Sequence, residues 1–399
     1  MSEYRRHSFS HLHHRGDGFW RIYFISIIFT FHTLLVAYIN SSYMESYLSP
    51  EGVSALFSIG SAIAVIAFLF ISHVLRAIGN IKLTVALAIL DIVTLIVMGI
   101  TAHQATAIIA FVTFLIVNPL LFLNIDIFAE SITGNNESYT GSRRGLTLTL
   151  KSLAAVCAPL TMGLIIDGGD NLSPVYFTAA GVFLIFIIFI FIKFNSFEDP
   201  HYHHLKMRDS IYDLWKKSDM RNVLLAHLTL QMFFVWAVIY IPLYLSTEIG
   251  FTWDTISYII SVGLFAYVLL EWPIGLLADK VMGEKELMAL GFLILAVSSS
   301  YISFMGHTNI IAWMLLVFMT RVGAALVETT TESYFFKHTH AEDAEVISFF
   351  RLMRPLSMLI GSILGSVALF YLPFNLIFVV LALLMIPGIF FTMALKDTK

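Results

Sequence analysis

The sequence predicts an all-α membrane protein of twelve transmembrane helices, built as two parallel six-helix repeats with both termini cytoplasmic. Three observations predict it. First, the 399 residues are 58% hydrophobic and only 13% charged, with Phe at 35 positions, and the mean hydropathy is +0.84. An ordinary soluble domain is about one quarter charged, and a globule this apolar would lack the polar surface to cover itself. A soluble enzyme, a DNA-binding protein and a disordered hub are excluded. Second, the apolar stretches reach the roughly 20 residues that a bilayer crossing needs, and they continue to the end of the sequence, unlike a signal peptide followed by a soluble domain. Third, the sequence repeats itself at an offset of about 203 residues.

Taken in order, the apolar spans are 19–42, 53–75, 83–102, 105–131, 146–166, 175–194, 222–245, 254–278, 286–305, 310–336, 346–371 and 374–395. Short polar punctuation separates them. Spans 4 and 10 are long and end in polar turns, so they are expected to project beyond the hydrocarbon. The chain is thereby divided into a tail at 1–18, a first six-helix bundle at 19–194, a linker at 195–221, a second bundle at 222–395 and a tail at 396–399. In the linker, Ile211, Leu214 and Trp215 suit a short amphipathic piece at the interface; a plain connector is the alternative.

Orientation follows from Lys and Arg, which favour the cytoplasmic side. With the N-terminus inside, the inner segments hold Arg5, Arg6, Arg15, Arg76, Lys82, Arg143, Arg144, Lys206, Arg208, Lys216, Lys217, Lys280, Lys285, Lys337, Lys396 and Lys399. The outer loops hold none, and carry Glu45, Glu51, Asp167, Asp170 and Glu248 instead.

The repeat is legible residue by residue. Ser54, Ser58 and Gly60 match Ser257, Ser261 and Gly263; Arg76, Gly79 and Lys82 match Lys280, Gly283 and Lys285. Asp126, Glu130 and Ser131 match Glu328, Glu332 and Ser333, and Lys151 matches Arg354. Six spans is an even number, so both copies enter from the same side and are related by an axis along the membrane normal. Transporters that rock one half against the other around a central site are built this way.

The segment Gly275-Leu-Leu-Ala-Asp279-Lys280-Val-Met-Gly283-Glu-Lys285 resembles the G-x-L-A-D-[RK]-x-G-[RK]-[RK] loop of the major facilitator superfamily, with one residue inserted before Gly283. The first-half copy keeps Arg76, Gly79 and Lys82 but has Leu75 where the Asp belongs. With the repeat, this resemblance extends over nearly the whole chain. It implies an alternating-access transporter in which the loop is a latch of the cytoplasmic gate. Span 5 carries Ala154, Ala158, Pro159 and Gly163, similar to the G-x-x-x-G-P-x-x-G-G signature of antiporters in that superfamily, with two glycines replaced by Ala and one by Met. Plain helix packing explains the same residues, since small side chains four apart let helices approach closely, and Pro159 is expected to kink the span. Ser357, Gly361 and Gly365 form a parallel set in span 11.

An ionisable group inside a span costs about 2.5–3.5 kcal/mol on insertion scales and needs a reason. Arg321, Glu328 and Glu332 share one face of span 10, and Asn118, Asp126 and Glu130 share one face of span 4. Asn118 and Arg321 are repeat mates, so both faces are expected to point inward. Asp126 and Glu328 are candidates for proton coupling or cation binding. Arg321 needs a carboxylate or an anionic substrate group. Glu130 and Glu332, nearer the cytoplasm, suit a gate layer with Arg76, Arg143, Arg144, Lys280 and Arg351. Glu271 is a second candidate proton site, while Asp91, in a peripheral span, has no evident role. His32 is a candidate substrate contact, and Gln231, Trp236, Tyr38 and Tyr240 could line a cavity for a small organic molecule.

The His-bearing segments (His7, His11, His13, His14, His201, His203, His204, His338, His340) match no ordered metal spacing. The single Cys157 excludes a disulfide framework and a cysteine metal site. No phosphate-cradling loop or hydrolase arrangement is found. No enzymatic activity, cofactor, metal or nucleic-acid partner is expected.

The sequence therefore points to a monomeric secondary transporter, multi-pass in the cytoplasmic membrane of a prokaryote, with a small-molecule substrate, protons as coupling ion and the lipid bilayer as its partners. The span-5 motif and an excess of buried carboxylates over Arg favour proton-coupled efflux, by antiport, of an amphipathic or cationic compound. Proton- or sodium-coupled symport of a nutrient such as a sugar or organic ion is the alternative, and a transport-inactive receptor or scaffold is a third reading.

Overall fold

The computed structural model describes residues 19–133, 140–166, 169, 171–197, 199, 215–280, 282–306, 308–338 and 344–396. Its helices are α1 (Phe19–Ala37), α2 (Asn40–Glu45), α3 (Pro50–Ile78), α4 (Asn80–Ile100), α5 (Gln104–Thr133), α6 (Thr140–Ile166), α7 (Ser173–Lys193), α8 (Ser218–Thr247), α9 (Trp253–Lys280), α10 (Glu284–Ile302), α11 (Ile310–Lys337), α12 (Ala344–Tyr371) and α13 (Ile377–Met393), with a 3₁₀ turn at Phe374–Leu376. Twelve spans are long and apolar enough to cross a membrane, the first formed by α1 and α2 together.

Local chemistry sets the ends. The Ser49 side chain accepts a hydrogen bond from the Gly52 backbone N–H, and Pro50 occupies the first turn of α3, where its missing N–H costs nothing. Gly79 closes α3 at φ +81°, a left-handed conformation that suits glycine, and α4 starts at the next residue. The Asp199 carboxylate accepts from the Asn80 backbone N–H at 2.8 Å, supplying an acceptor at the start of α4 where orphan donors point. In the second half the same corner is built differently. Buried Glu284, at the start of α10, accepts from Lys337 Nζ at 2.5 Å and from Ser333 Oγ at 3.0 Å.

Helix packing repeats across the two halves. In the first, α4 packs on α5 and α7, α3 on α5, and α1 on α5, α6 and α7; in the second, α10 packs on α11 and α13, α9 on α11, and α8 on α11, α12 and α13. Each first-half pair has its mate in the second. Between the halves the main contacts are α3 with α12 and α6 with α9, themselves repeat mates. Apolar side chains such as Phe70, Ile188, Leu293 and Phe390 are left exposed around the outside, where hydrocarbon would cover them.

Within the linker, Ile211 and Leu214 lie outside the described residues, and Trp215 is exposed. The helix through Pro159 is continuous from Thr140 to Ile166.

Candidate functional site in the seam between the halves

Far from the termini, the seam is neutral and tight. Ser54 of α3 donates to the Ser362 carbonyl of α12 at 2.8 Å and pairs with the Tyr240 hydroxyl of α8. Ser58 donates to Ser362 Oγ at 3.0 Å, and Ser366 to the Glu51 carbonyl at 3.3 Å. A Cβ on Gly163 would strike Ser257 Oγ of the opposite half. Gly163 and Gly365 stand 202 residues apart, as Ser54 and Ser257 stand 203 apart, but the repeat is not copied exactly: Gly365 lies against the Tyr240 hydroxyl of its own half, and it is that hydroxyl which meets Ser54. Trp236 Nε1 donates to the Gly361 carbonyl at 2.8 Å, also within the second half. Ser42 and Ser246 meet at 3.4 Å on the same side.

Toward the termini, the halves meet through charges. Arg351 Nε of α12 lies 3.3 Å from Asp126 Oδ2 of α5. Ser152 of α6 donates to the Glu271 carboxylate of α9 at 3.2 Å. Lys151 Nζ of α6 and the Arg354 guanidinium of α12 each lie over the Phe122 ring, 5.0 Å from its centre. Glu328 interacts electrostatically with Glu332, Glu271 and Arg354. Arg321 is 2% exposed, lies 5.2 Å over the Phe233 ring, and its Nε and Nη1 have no hydrogen-bond partner. The Tyr38 hydroxyl lies within its electrostatic reach. A buried guanidinium with unused donors is costly unless an acceptor arrives, so this centre can hold acceptor groups from outside the chain.

The other sequence-predicted residues are distributed between packing and this centre. Asn118 donates to Thr33 Oγ1 at 3.1 Å, inside the first half. His32, the candidate substrate contact, is wholly buried there: its Nε2 bonds Asp91 Oδ2 at 2.7 Å and its ring stacks on Phe183 at 4.0 Å. The sequence left Asp91 without a role because its partner is 59 residues away. Trp236 and Tyr240 are wholly buried, Tyr240 at the seam against Ser54 and Trp236 against Gly361 of its own half. Gln231 is 6% exposed and contacts His227 of its own helix at 3.3 Å. Ala154 and Ala158 are buried, and with Gly163 they serve helix packing. Arg76 is exposed. The side chains of Glu130, Arg143, Arg144, Asp279 and Lys280 lie outside the described residues, as do the histidines of the polar segments except His338, whose Nδ1 bonds the Tyr334 carbonyl at 2.8 Å. Among the described residues no cluster is fit to hold a metal.

Sequence reasoning did not place Lys151, Arg354, Phe122 or Ser152 at the centre. The signal was present for two of them: Lys151 and Arg354 are repeat mates with conserved positive charge inside spans 5 and 11. With Lys151 counted, four cations (Lys151, Arg321, Arg351 and Arg354) stand against four carboxylates (Asp126, Glu271, Glu328 and Glu332) in one electrostatically linked set of described residues; against Arg alone the carboxylates still lead, four to three.

Residues 223–399 match the family model described as Major Facilitator Superfamily. No curated protein matches the sequence. Among solved structures, the nucleoside transporter NupG superposes with a TM-score of 0.70 at 13% identity, over 94% of this chain and 98% of that one. The POT family transporter PepTSo superposes with a TM-score of 0.75 at 11% identity, over 95% of this chain and 97% of that one.

Proposed function

We propose that this chain, which has the major facilitator fold and whose residues 223–399 belong to the Major Facilitator Superfamily by sequence, is a secondary active transporter. It moves a small organic solute by alternating access, with protons as the coupling ion. The observation that carries this reading is the Asp126–Arg351 pair at 3.3 Å. It joins opposite halves of the molecule inside spans, where a scaffold has no need to bear the cost of ionisable groups.

The mechanism follows from the two chemistries of the seam. When the neutral side is closed, the charged centre faces the termini. Rocking the halves opens the Ser54 and Gly163 contacts and draws the charged layer together. Glu271, Glu328 and Glu332 repel one another, and a proton taken up among them relieves that repulsion. Proton occupancy thus shifts the balance between the two states, as any ligand does that prefers one of them. The Lys and Arg distribution supports cytoplasmic termini; the cytoplasmic membrane of a prokaryote and a monomeric working unit belong to the same proposal.

Efflux of a cationic compound by antiport retains the span-5 motif as support. Its second support, carboxylates in excess over Arg, is offset by Lys151, which brings the central network to four cations and four carboxylates among the described residues. The test is purified protein in liposomes with an imposed pH gradient, read as solute-evoked proton movement whose direction separates antiport from symport. Glu328→Gln should bind solute but transport it without the wild-type pH dependence; unchanged pH-dependent transport overturns the role of Glu328.

A further inference from the structure

The geometry around Phe122 points to a substrate class: we propose that the solute carries a compact oxyanion head group, a carboxylate or a phosphate, held between Lys151 and Arg354. The inference rests on the transport reading above and names its substrate chemistry. Lys151 and Arg354 come from opposite halves at repeat-equivalent positions, and both lie 5.0 Å from the centre of one ring. Two cations converging on one phenyl ring repel each other, and the ring's negative face offsets only part of that repulsion.

The carboxylates acting on Lys151 do not complete the balance there. The charges acting on Lys151 are Arg351 and Arg354 on one side and Asp126 and Glu332 on the other. Asp126 already holds Arg351 at 3.3 Å. Within this set three cations stand against two carboxylates, beside a half-buried aromatic wall; the count evens out only across the wider network, with Arg321, Glu271 and Glu328. Glu328 also acts on Arg354, but it is crowded by Glu332 and Glu271. A solute oxyanion bridging the ammonium and the guanidinium would gain charge-assisted hydrogen bonds from both, and its contact with both halves would make it sensitive to their rocking. Arg321, with two buried unpartnered nitrogens, is a further acceptor-seeking group in the same network.

The test reads the local charge directly. In the full chain carrying Cys157→Ser, Phe122→Cys is treated with a sulfonate-bearing methanethiosulfonate and with its trimethylammonium analogue. The anionic reagent should react faster by about tenfold or more, the lower end of electrostatic focusing in clefts. Lys151→Gln or Arg354→Gln should abolish that ratio, and Lys151→Arg should keep it. Benzoate slowing the modification assigns a carboxylate; inorganic phosphate slowing it assigns a phosphate. A ratio near one, or slowing by neither anion, overturns the proposal. A second measurement avoids the cysteine: at constant ionic strength, benzoate or phosphate should raise the melting temperature of the unsubstituted protein but not of Lys151→Gln. An equal rise in both also overturns it. In liposomes, proton movement evoked by tetraphenylphosphonium and by no anion would sink the oxyanion and leave transport standing. Anion protection without any solute-evoked proton movement would sink transport instead.

Discussion

On the side away from the termini, the halves meet through Ser54, Ser58, Ser362, Gly163 and Ser257; toward the termini, they meet through Asp126, Lys151, Glu271, Arg351 and Arg354. The first set is small and neutral, so backbones approach closely and each hydrogen bond contributes a net of only about 1 kcal/mol, because water replaces it on opening. The second set is charged, so its energy reaches beyond contact distance and changes when a proton or an ion arrives. The difference teaches that one seam is held by fit and the other by charge. Under the proposed mechanism the first is a closure and the second is where a coupling ion would be read; two charged seams would bear a desolvation cost in every state.

The comparison is broken hardest at Gly163. Gly163→Ala puts a methyl group against Ser257 of the opposite half. Overpacking of this kind costs about 1–3 kcal/mol, and where it acts on the closed state alone it shifts the equilibrium by roughly 5- to 150-fold. The expected result is faster labelling of Ser58→Cys by an impermeant maleimide in the Gly163→Ala variant. Labelling at the parent rate would mean that the seam has slack. Next comes Asp126→Asn. The pair is 16% and 25% exposed, so its loss is expected to cost about 1–3 kcal/mol, between surface and buried limits. A double-mutant cycle with Arg351→Gln, read in transport rate, should show coupling; additive effects would place the two side chains in separate roles.

The fold was readable because bilayer crossing imposes a period and a length that few other structures share. Expected span 10 at 310–336 and helix Ile310–Lys337 agree within a residue. The break between α1 and α2 inside the first span went unmarked, since the apolar run continues through Tyr38 and Ile39, and so did the 3₁₀ turn Phe374–Leu376 that opens the last span. The charged residues were equally readable as exceptions to an apolar background. Their partners were not. His32 and Asp91, or Asp126 and Arg351, meet through the rotation of helices distant in sequence, which periodicity within one helix does not fix. The same holds for Trp236 and Tyr240, whose polar tips suited a cavity wall and instead bond Gly361 and Ser54.

The smallest expected effect belongs to Ser54. Its hydroxyl gives one bond to the Ser362 carbonyl and shares another with Tyr240, and Ser54→Ala removes both while adding no bulk. The loss is expected at about 0.5–1.5 kcal/mol, plus the cost of leaving the Tyr240 hydroxyl without that partner. Because the change empties the seam rather than wedging it, Ser58→Cys labelling should rise by less than in Gly163→Ala. Adding Tyr240→Phe to Ser54→Ala should then restore part of the closure, since the orphaned hydroxyl goes with it. A rise in Ser54→Ala equal to that in Gly163→Ala would mean that hydrogen bonds, and not fit, hold this side shut.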